Sequence, residues 1–454
     1  MNIEELKKSL LAAPQNGFAR LSLEDRVEME LPAKGYAAFI DACKTEREAV
    51  TWSIEELKKH GFVELVPGMT LKAGDKVYRN VHNKSLMAAV IGTESMNTGA
   101  RICAAHIDSP RMDIKPNPLY EDSGMAFLKT HYYGGIKKYQ WVTIPLALHG
   151  VVVRKDGTSV TITIGEDEND PILMITDLLP HLTAGTVIAG EQLNVLLGSE
   201  PLEGEGSDLV KLHMMKLLNE KYGIIEEDFL SAELSIVPAM KCREVGLDRS
   251  MLGAYGHDDR VCAYNPLAPL MKLETPKHTA GCLLADKEEI GSVGVTGMQS
   301  FACETFIHDL CHATKASLYR CFENSFCLSA DVSNAYDPNF GETCDKRNNS
   351  ALNMGVAIFK YTGSKGKGGA NDASAEVMGH IRSVLDKAGV IWQVGELGKV
   401  DQGGGGTVAA FMANRNIVTV DAGVPVLSMH APMEIVSKLD CYMSMRACKA
   451  VYED

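Results

Sequence analysis

At 454 residues the chain is long enough for two or three domains. Its 45% hydrophobic and 23% charged content is that of an ordinary globular protein. A formal net charge of −14 argues against nucleic acid or an anionic membrane as partner, and no stretch reaches the ~18 apolar residues of a membrane span.

The N-terminus, Met1-Asn2-Ile3-Glu4-Glu5-Leu6-Lys7-Lys8, starts a charged helix and lacks the apolar stretch of a signal peptide. Glu46 to His60 is a predicted helix stopped by Gly61, and Leu86 to Ile91 and Arg101 to Ile107 are short apolar runs of strand length. From about Arg111 the texture changes. Lys115-Pro116-Asn117-Pro118 is expected to break any regular element, and Thr130-His131-Tyr132-Tyr133-Gly134-Gly135 is aromatic and glycine-rich. Val151 to Ile164 has β-branched residues on both sides of Asp156-Gly157, the pattern of a hairpin. A helix is predicted near Asp208 to Tyr222. After Gly246 the α/β texture returns, with an apolar strand into Asp286 and a helix near Thr305 to Tyr319. Then come strands Phe326 to Ala330, Val390 to Val394 and Ile417 to Val420, a helix near Ala373 to Ala388, and a closing helix near Ile435 to Val451. The expected fold is one α/β domain made from residues 1–111 and 241–454 and interrupted by an inserted β-rich domain at 112–240.

Twelve cysteines are scattered with no Cys-x-x-Cys pair, and several sit in apolar runs, as Cys103 and Cys327 do. Free, buried thiols suit a reducing compartment, so a soluble cytoplasmic protein is expected.

Chemistry concentrates where apolar runs end, the edge at which open α/β sheets place their sites. Gly281-Cys282-Leu283-Leu284-Ala285 leads into Asp286-Lys287-Glu288-Glu289. Adjacent glutamates pointing to opposite sides let one bind a metal while the other handles a proton; a solvated acidic turn is the alternative. His106 and Asp108, in His106-Ile107-Asp108-Ser109-Pro110, share a face by strand alternation, so the carboxylate can orient the imidazole. Asp258 and Asp259 precede a helical run and read equally as a helix cap. Asp331 ends Phe326 to Ala330, and His430 follows Pro425-Val426-Leu427-Ser428-Met429. Nitrogen and oxygen donors without cysteine suit zinc, cobalt or manganese. His106, Asp258, Glu289, Asp331 and His430 are enough donors for two ions, with Glu288 left over as a base. His308 and His312 are spaced i, i+4 on a predicted helix, but Asp309 replaces the glutamate of zinc-binding His-Glu-x-x-His, so a solvated helix face is expected there. Gly403 to Gly406 lack the strand and lysine context of a phosphate loop and suit close backbone approach to a substrate.

In this order the five motifs resemble the aminopeptidase I / aspartyl aminopeptidase family of di-zinc metallopeptidases, over nearly the whole chain. The resemblance implies a catalytic domain with a central mixed sheet flanked by helices and a barrel-like inserted domain used for dimerisation. It implies that His106 and Asp331 bind one zinc, Glu289 and His430 the other, and that Asp258 bridges them, with Co2+ or Mn2+ as possible substitutes. Glu288 is implied as general base, Asp108 as the residue orienting His106, and His149 as a donor reaching a neighbouring subunit's active site. A strand histidine in the β-rich module is the alternative for His149. The implied assembly is a dodecamer whose enclosed sites admit short peptides. Asn334 and Asp337 stand where the family often has histidines, and Tyr361 to Gly369 looks closer to the aminopeptidase I branch. Neutral or hydrophobic N-terminal residues are therefore expected, with an aspartyl/glutamyl aminopeptidase or a related di-zinc deacylase or carboxypeptidase as alternatives. A non-enzymatic peptide-binding scaffold would not need the surplus base. Lys360 is expected either at the substrate pocket or on the surface.

Overall fold

The structure is a computed structural model describing residues 2–183 and 187–454. Met1, at the expected N-terminal helix, and 184–186, within the expected insertion, lie outside the described residues. A nine-stranded mixed sheet runs in the order Val63–Glu64, Lys76–Val81, Ser85–Val90, Thr279–Ala285, Ala100–His106, Phe326–Ala330, Val418–Gly423, Val356–Phe359, Trp392–Val394. Its four middle strands, from Thr279–Ala285 to Val418–Gly423, are mutually parallel, so their C-terminal ends share one edge.

These middle strands are continuous apolar runs because both faces are covered. In Ala100–His106, Ile102 and Ala104 enter a core with Phe306, Leu310 and Met412, from the helices Ala302–Ala313 and Val408–Ala413. Cys103 and Ala105 alternate to the opposite core, built with Phe39, Leu267 and Met443 from the helices Leu23–Ala42, His257–Lys272 and Lys438–Tyr452. Thus every second residue serves a different layer, and the strand register fixes which side chains emerge at the shared edge.

Residues 111–238 supply all strands of a six-stranded antiparallel sheet, ordered Ser159–Ile164, Leu146–Val153, Ala232–Pro238, Arg111–Asp122, Met125–Tyr133, Val195–Gly198. The helix Leu209–Tyr222 follows the last of these small-sheet strands except Ala232–Pro238. Trp141 is fully buried in this core, edge-on to Tyr255 at 6.1 Å. A third, five-stranded sheet carries Pro425–Leu427 and Glu434–Ser437 beside Met251–Ala254.

Three expectations are corrected. Pro116 and Pro118 do not break the chain; the strand Arg111–Asp122 passes through them with a register shift between Ile114 and Leu119. Proline has no N–H for the ladder, and an irregular stretch of ladder tolerates it. The predicted helix from Thr305 to Tyr319 is two helices, Ala302–Ala313 and Leu318–Asn324, separated where Lys315 takes φ +58°. The closing helix begins only at Lys438, because Glu434–Ser437 pairs as a strand with Met251–Ala254.

Candidate metal centre

The shared edge gathers side chains from distant parts of the chain. His106 is the last residue of its strand and pairs in register with Ala285. Asp331 directly follows Phe326–Ala330 and holds its turn by donating its backbone N–H to the carbonyl of Ala422 (3.3 Å). After Ala285 the chain turns through Lys287, at φ +67°, into the 3-10 turn Glu288–Ile290. The glutamates therefore leave a tight turn, not a strand, yet each reaches a different imidazole.

His106 Nε2 lies 3.3 Å from Asp258 Oδ1 and 3.9 Å from both Asp331 Oδ1 and Glu288 Oε2. His430 Nε2 lies 3.1 Å from Asp258 Oδ2 and 3.5 Å from Glu289 Oε1. Asp258 thus presents one oxygen to each histidine. Two groups that could each hold a metal ion result, His106/Asp258/Asp331 and Asp258/Glu289/His430, with donor atoms in each within 4.8 Å of one another. Asp258 sits at the interrupted start of the helix His257–Lys272, where its ψ of 104° is non-helical; Gly256, not Asp258, is the N-cap.

The surroundings aim these groups. His106 Nδ1 donates to the backbone carbonyl of Asp108 (3.0 Å) and lies 3.2 Å from its carboxylate, which turns Nε2 toward Asp258 and Asp331. The Asp108 carboxylate also accepts the backbone N–H groups of Glu288 and Glu289 (3.2 Å each) and the Tyr133 hydroxyl (2.8 Å), so it holds the glutamate turn itself. His430, at φ +64°, donates from Nδ1 to the Gly135 carbonyl (2.8 Å).

Two features went unread in the sequence. Glu434, fully buried, accepts the backbone N–H of Asp258 (3.0 Å) and of His430 (2.6 Å), locking together the two segments that carry the second ligand group. Its position four residues past His430 is visible in the sequence, but nothing there marks it as an acceptor for main-chain amides. Gly134 and Gly135, at the end of the strand Met125–Tyr133, bring the small sheet onto the cluster; a Cβ on Gly134 would meet Glu289 Oε2 at 3.2 Å. The sequence showed this segment only as aromatic and glycine-rich, without showing what it approaches.

Electrostatics set the cluster's character. Burial pushes the Glu288 carboxyl up to about 7 and drives Glu289 and Asp331 well above the carboxylate range, and neighbouring acids push the same way. Burial also acts to raise Asp258, but hydrogen bonds from His106 and His430 pull it well below. Burial would lower His430, yet the hydrogen bond with Asp258 and the charge of Glu289 carry it up to about 10. Glu289 Oε1 is buried and accepts no hydrogen bond from any described residue. Two imidazoles and a surplus of carboxylates, with a buried oxygen left unbonded and one carboxylate shared, are a donor set that suits two divalent cations of the zinc class. The group opens into a cavity of about 310 Å³ whose lining includes Phe359, Thr362, Leu397, Gly404, Thr407 and Asp421.

His149 does not join this cluster. It lies in the strand Leu146–Val153, with Nδ1 2.7 Å from Glu48 and Nε2 3.2 Å from Glu166. With both ring nitrogens engaged inside its own chain and its side chain buried, it bridges segments of that chain. His308 and His312 stack at 6.4 Å on the helix Ala302–Ala313, with His308 exposed and beside Asp309. Lys360 is exposed and pairs with Asp372 at 2.6 Å, away from the cavity lining. Asn334 contacts Cys344, and Asp337 caps the 3-10 helix Pro338–Thr343.

The model of the family described as aminopeptidase I zinc metalloprotease (M18) matches residues 39–452. A probable M18 family aminopeptidase 1 of Clostridium acetobutylicum is 51% identical over 437 residues, covering 92% of this chain and 94% of that protein. The crystal structure of an M18 family aminopeptidase from Thermotoga maritima superposes with a TM-score of 0.94 at 42% identity, over 97% of this chain and 99% of that one. The more distant S. cerevisiae mApe1 dodecamer, at 20% identity and a TM-score of 0.77 over 93% of this chain and 96% of that one, shares the fold. The chain therefore belongs to the M18 aminopeptidase I family of zinc metalloproteases.

Proposed function

We propose that this M18 aminopeptidase removes N-terminal residues from short peptides with two zinc ions per chain, and that neutral or hydrophobic N-terminal residues are preferred. The observation that carries the two-ion reading is Asp258, one oxygen toward each of two ligand groups. His106 and Asp331 would hold one ion, Glu289 and His430 the other, and Asp258 both; Co2+ or Mn2+ would be tolerated by the same donors. The ions supply Lewis acidity toward the scissile carbonyl and lower the pKa of water.

The rest belongs to the chain's own residues. Glu288 lines the cavity beside His106 and is assigned as the base that takes the proton of the attacking water and returns it to the leaving amine. Asp108 fixes His106 and the glutamate turn, so that base and ligands keep one geometry. The carboxylates around the cavity favour a free α-amine, which gives exopeptidase action. Phe359, Leu397 and Met429 in the wall support an apolar side chain, and Asp421 there disfavours an acidic one.

By likeness to the yeast dodecamer we infer a homo-oligomer, with a dodecamer as the expected count. All twelve cysteines are free, which supports a cytoplasmic location; no helix among the described residues is long and apolar enough to cross a membrane. The deciding experiment is metal reconstitution with chelator controls, followed by metal content, native mass and hydrolysis of free and N-acylated aminoacyl substrates. Two ions per chain and cleavage of free-amine substrates alone are expected. Preferential cleavage of the acylated series would replace the assignment with a deacylase.

A further inference from the structure

A second cavity, of about 290 Å³, adjoins the metal cavity and shares Thr362 and Leu397 with it as walls. It is built from the segment containing Gly363, Gly366 and Gly368, closed by a bridge between Ser364 and Gly368, and from the turn closed between Lys399 and Gln402. Lys365, Lys367 and Lys399 line it against one carboxylate, Glu396, to which the Tyr361 hydroxyl donates at 3.3 Å.

The lysine charges there are poorly compensated. Lys367 shares the single Asp372 with Lys360, at 3.1 and 2.6 Å. Lys399 donates to the backbone carbonyl of Glu342 (2.6 Å), a neutral acceptor that leaves its charge in place. Lys365 has no ion pair among the described residues. In a chain of net charge −14 this is a local reversal of sign, next to a metal cavity lined by Asp258, Glu288, Glu289, Asp331 and Asp421. Together the two cavities run from anionic to cationic. A peptide with a free amine at one end and a free carboxylate at the other has the same polarity along its length.

We propose that the lysine-lined cavity is a carboxylate-binding subsite that holds the far end of a short peptide whose amine lies at the metal cluster. This rests on the peptidase reading of that cluster. An acid at the substrate's N-terminal side chain has the same chemistry as a C-terminal carboxylate; the carboxylates lining the metal cavity, Asp421 among them, disfavour it, so the C-terminal source is expected.

The test compares Leu-Gly-Gly with Leu-Gly-Gly-amide on the metal-loaded enzyme, and Glu-Gly-Gly-amide with Gln-Gly-Gly-amide as a second arm. The amide is expected to raise KM at least about fivefold with a smaller change in kcat, and added salt is expected to narrow the gap, because exposed charges are screened. In the Lys365→Ala/Lys399→Ala double variant the gap falls below about twofold. A preference confined to the Glu/Gln pair and lost in the double variant supports the subsite with the side chain as its source. Equal KM within both pairs, or a gap that survives in the double variant, overturns the proposal. Leucine p-nitroanilide carries no carboxylate, so its hydrolysis by the same preparation separates failure of the subsite from failure of the aminopeptidase reading.

Discussion

Glu288 and Glu289 are neighbours in one 3-10 turn, yet Glu289 lies beside His430 while Glu288 faces His106. If Glu288 is the base, Glu288→Gln keeps the shape of the turn and removes the proton acceptor. Turnover is then expected to fall by about 10²- to 10⁴-fold, with two ions still bound per chain by metal analysis. Loss of metal together with activity would make Glu288 a ligand instead. Glu434 makes a different prediction. Its two oxygens accept the backbone N–H groups of Asp258 and His430, and a glutamine can accept at only one of those positions while its amide opposes the other donor. Glu434→Gln is expected to weaken metal affinity by about 10- to 100-fold, read by calorimetric titration of the metal-free protein. Unchanged affinity would reduce Glu434 to a local brace. These two residues also mark what one sequence can disclose about a site. His106, Glu289, Asp331 and His430 could be found because each ends or closely follows an apolar run, where the sheet edge must lie. Glu434 acts on backbone amides, and no pattern of residue types announces which carboxylate will accept from which main chain.

Among the elements, the strands of the large sheet were legible from their length and composition, since runs buried on both faces admit few polar residues. The helix Leu23–Ala42 drew no expectation, although Ser22 and Asp25 form its capping box, because Leu23, Val27 and Leu31 are exposed and blur the periodicity. The end of the strand Met125–Tyr133 was illegible for another reason: Gly134 and Gly135 have meaning only against His430 and Glu289, far away in sequence. Gly134 has φ +72°, and a methyl group there would sit 3.2 Å from Glu289 Oε2. Gly134→Ala combines a left-handed backbone, costing about 1 kcal/mol for a residue with a Cβ, with pressure on the carboxylate. A fall of a few degrees in Tm and weaker binding of one ion of the two are expected from calorimetry and metal titration. A variant with wild-type metal binding would show that the small sheet touches the cluster without shaping it.

At the scale of the whole molecule, the small sheet is tied to the helical layer of the large one by charges. Glu48 closes the capping box of the helix Glu46–Lys59 with one oxygen and meets His149 with the other. Glu166 takes the second nitrogen of His149 and also pairs with Lys241 at 2.7 Å. Nearby, Arg111 pairs with Glu46 at 3.2 Å, and Arg47 with Glu233. Burial would lower His149, but the hydrogen bonds to Glu166 and Glu48 hold it above its ordinary 6.5. Burial would raise Glu166, but His149 and Lys241 bring it down to about 2, and Glu48 is lowered by His149 as well. The signs then follow from linkage. A raised histidine stabilises the fold fully below 6.5 and loses that contribution as pH climbs through its folded value; lowered glutamates stabilise above 4.5 and lose theirs as pH falls toward about 2. This seam is therefore strongest between 4.5 and 6.5, by about 2 kcal/mol for hydrogen bonds between charged groups. Thermal unfolding of the wild type and of His149→Gln, followed from about pH 5 to pH 9 on the scale of imidazole titration, tests it. The wild type is expected to exceed the variant most near the acid end of that range, with the margin shrinking toward the alkaline end. A margin independent of pH would mean that His149 fills space at the seam and carries no charge there.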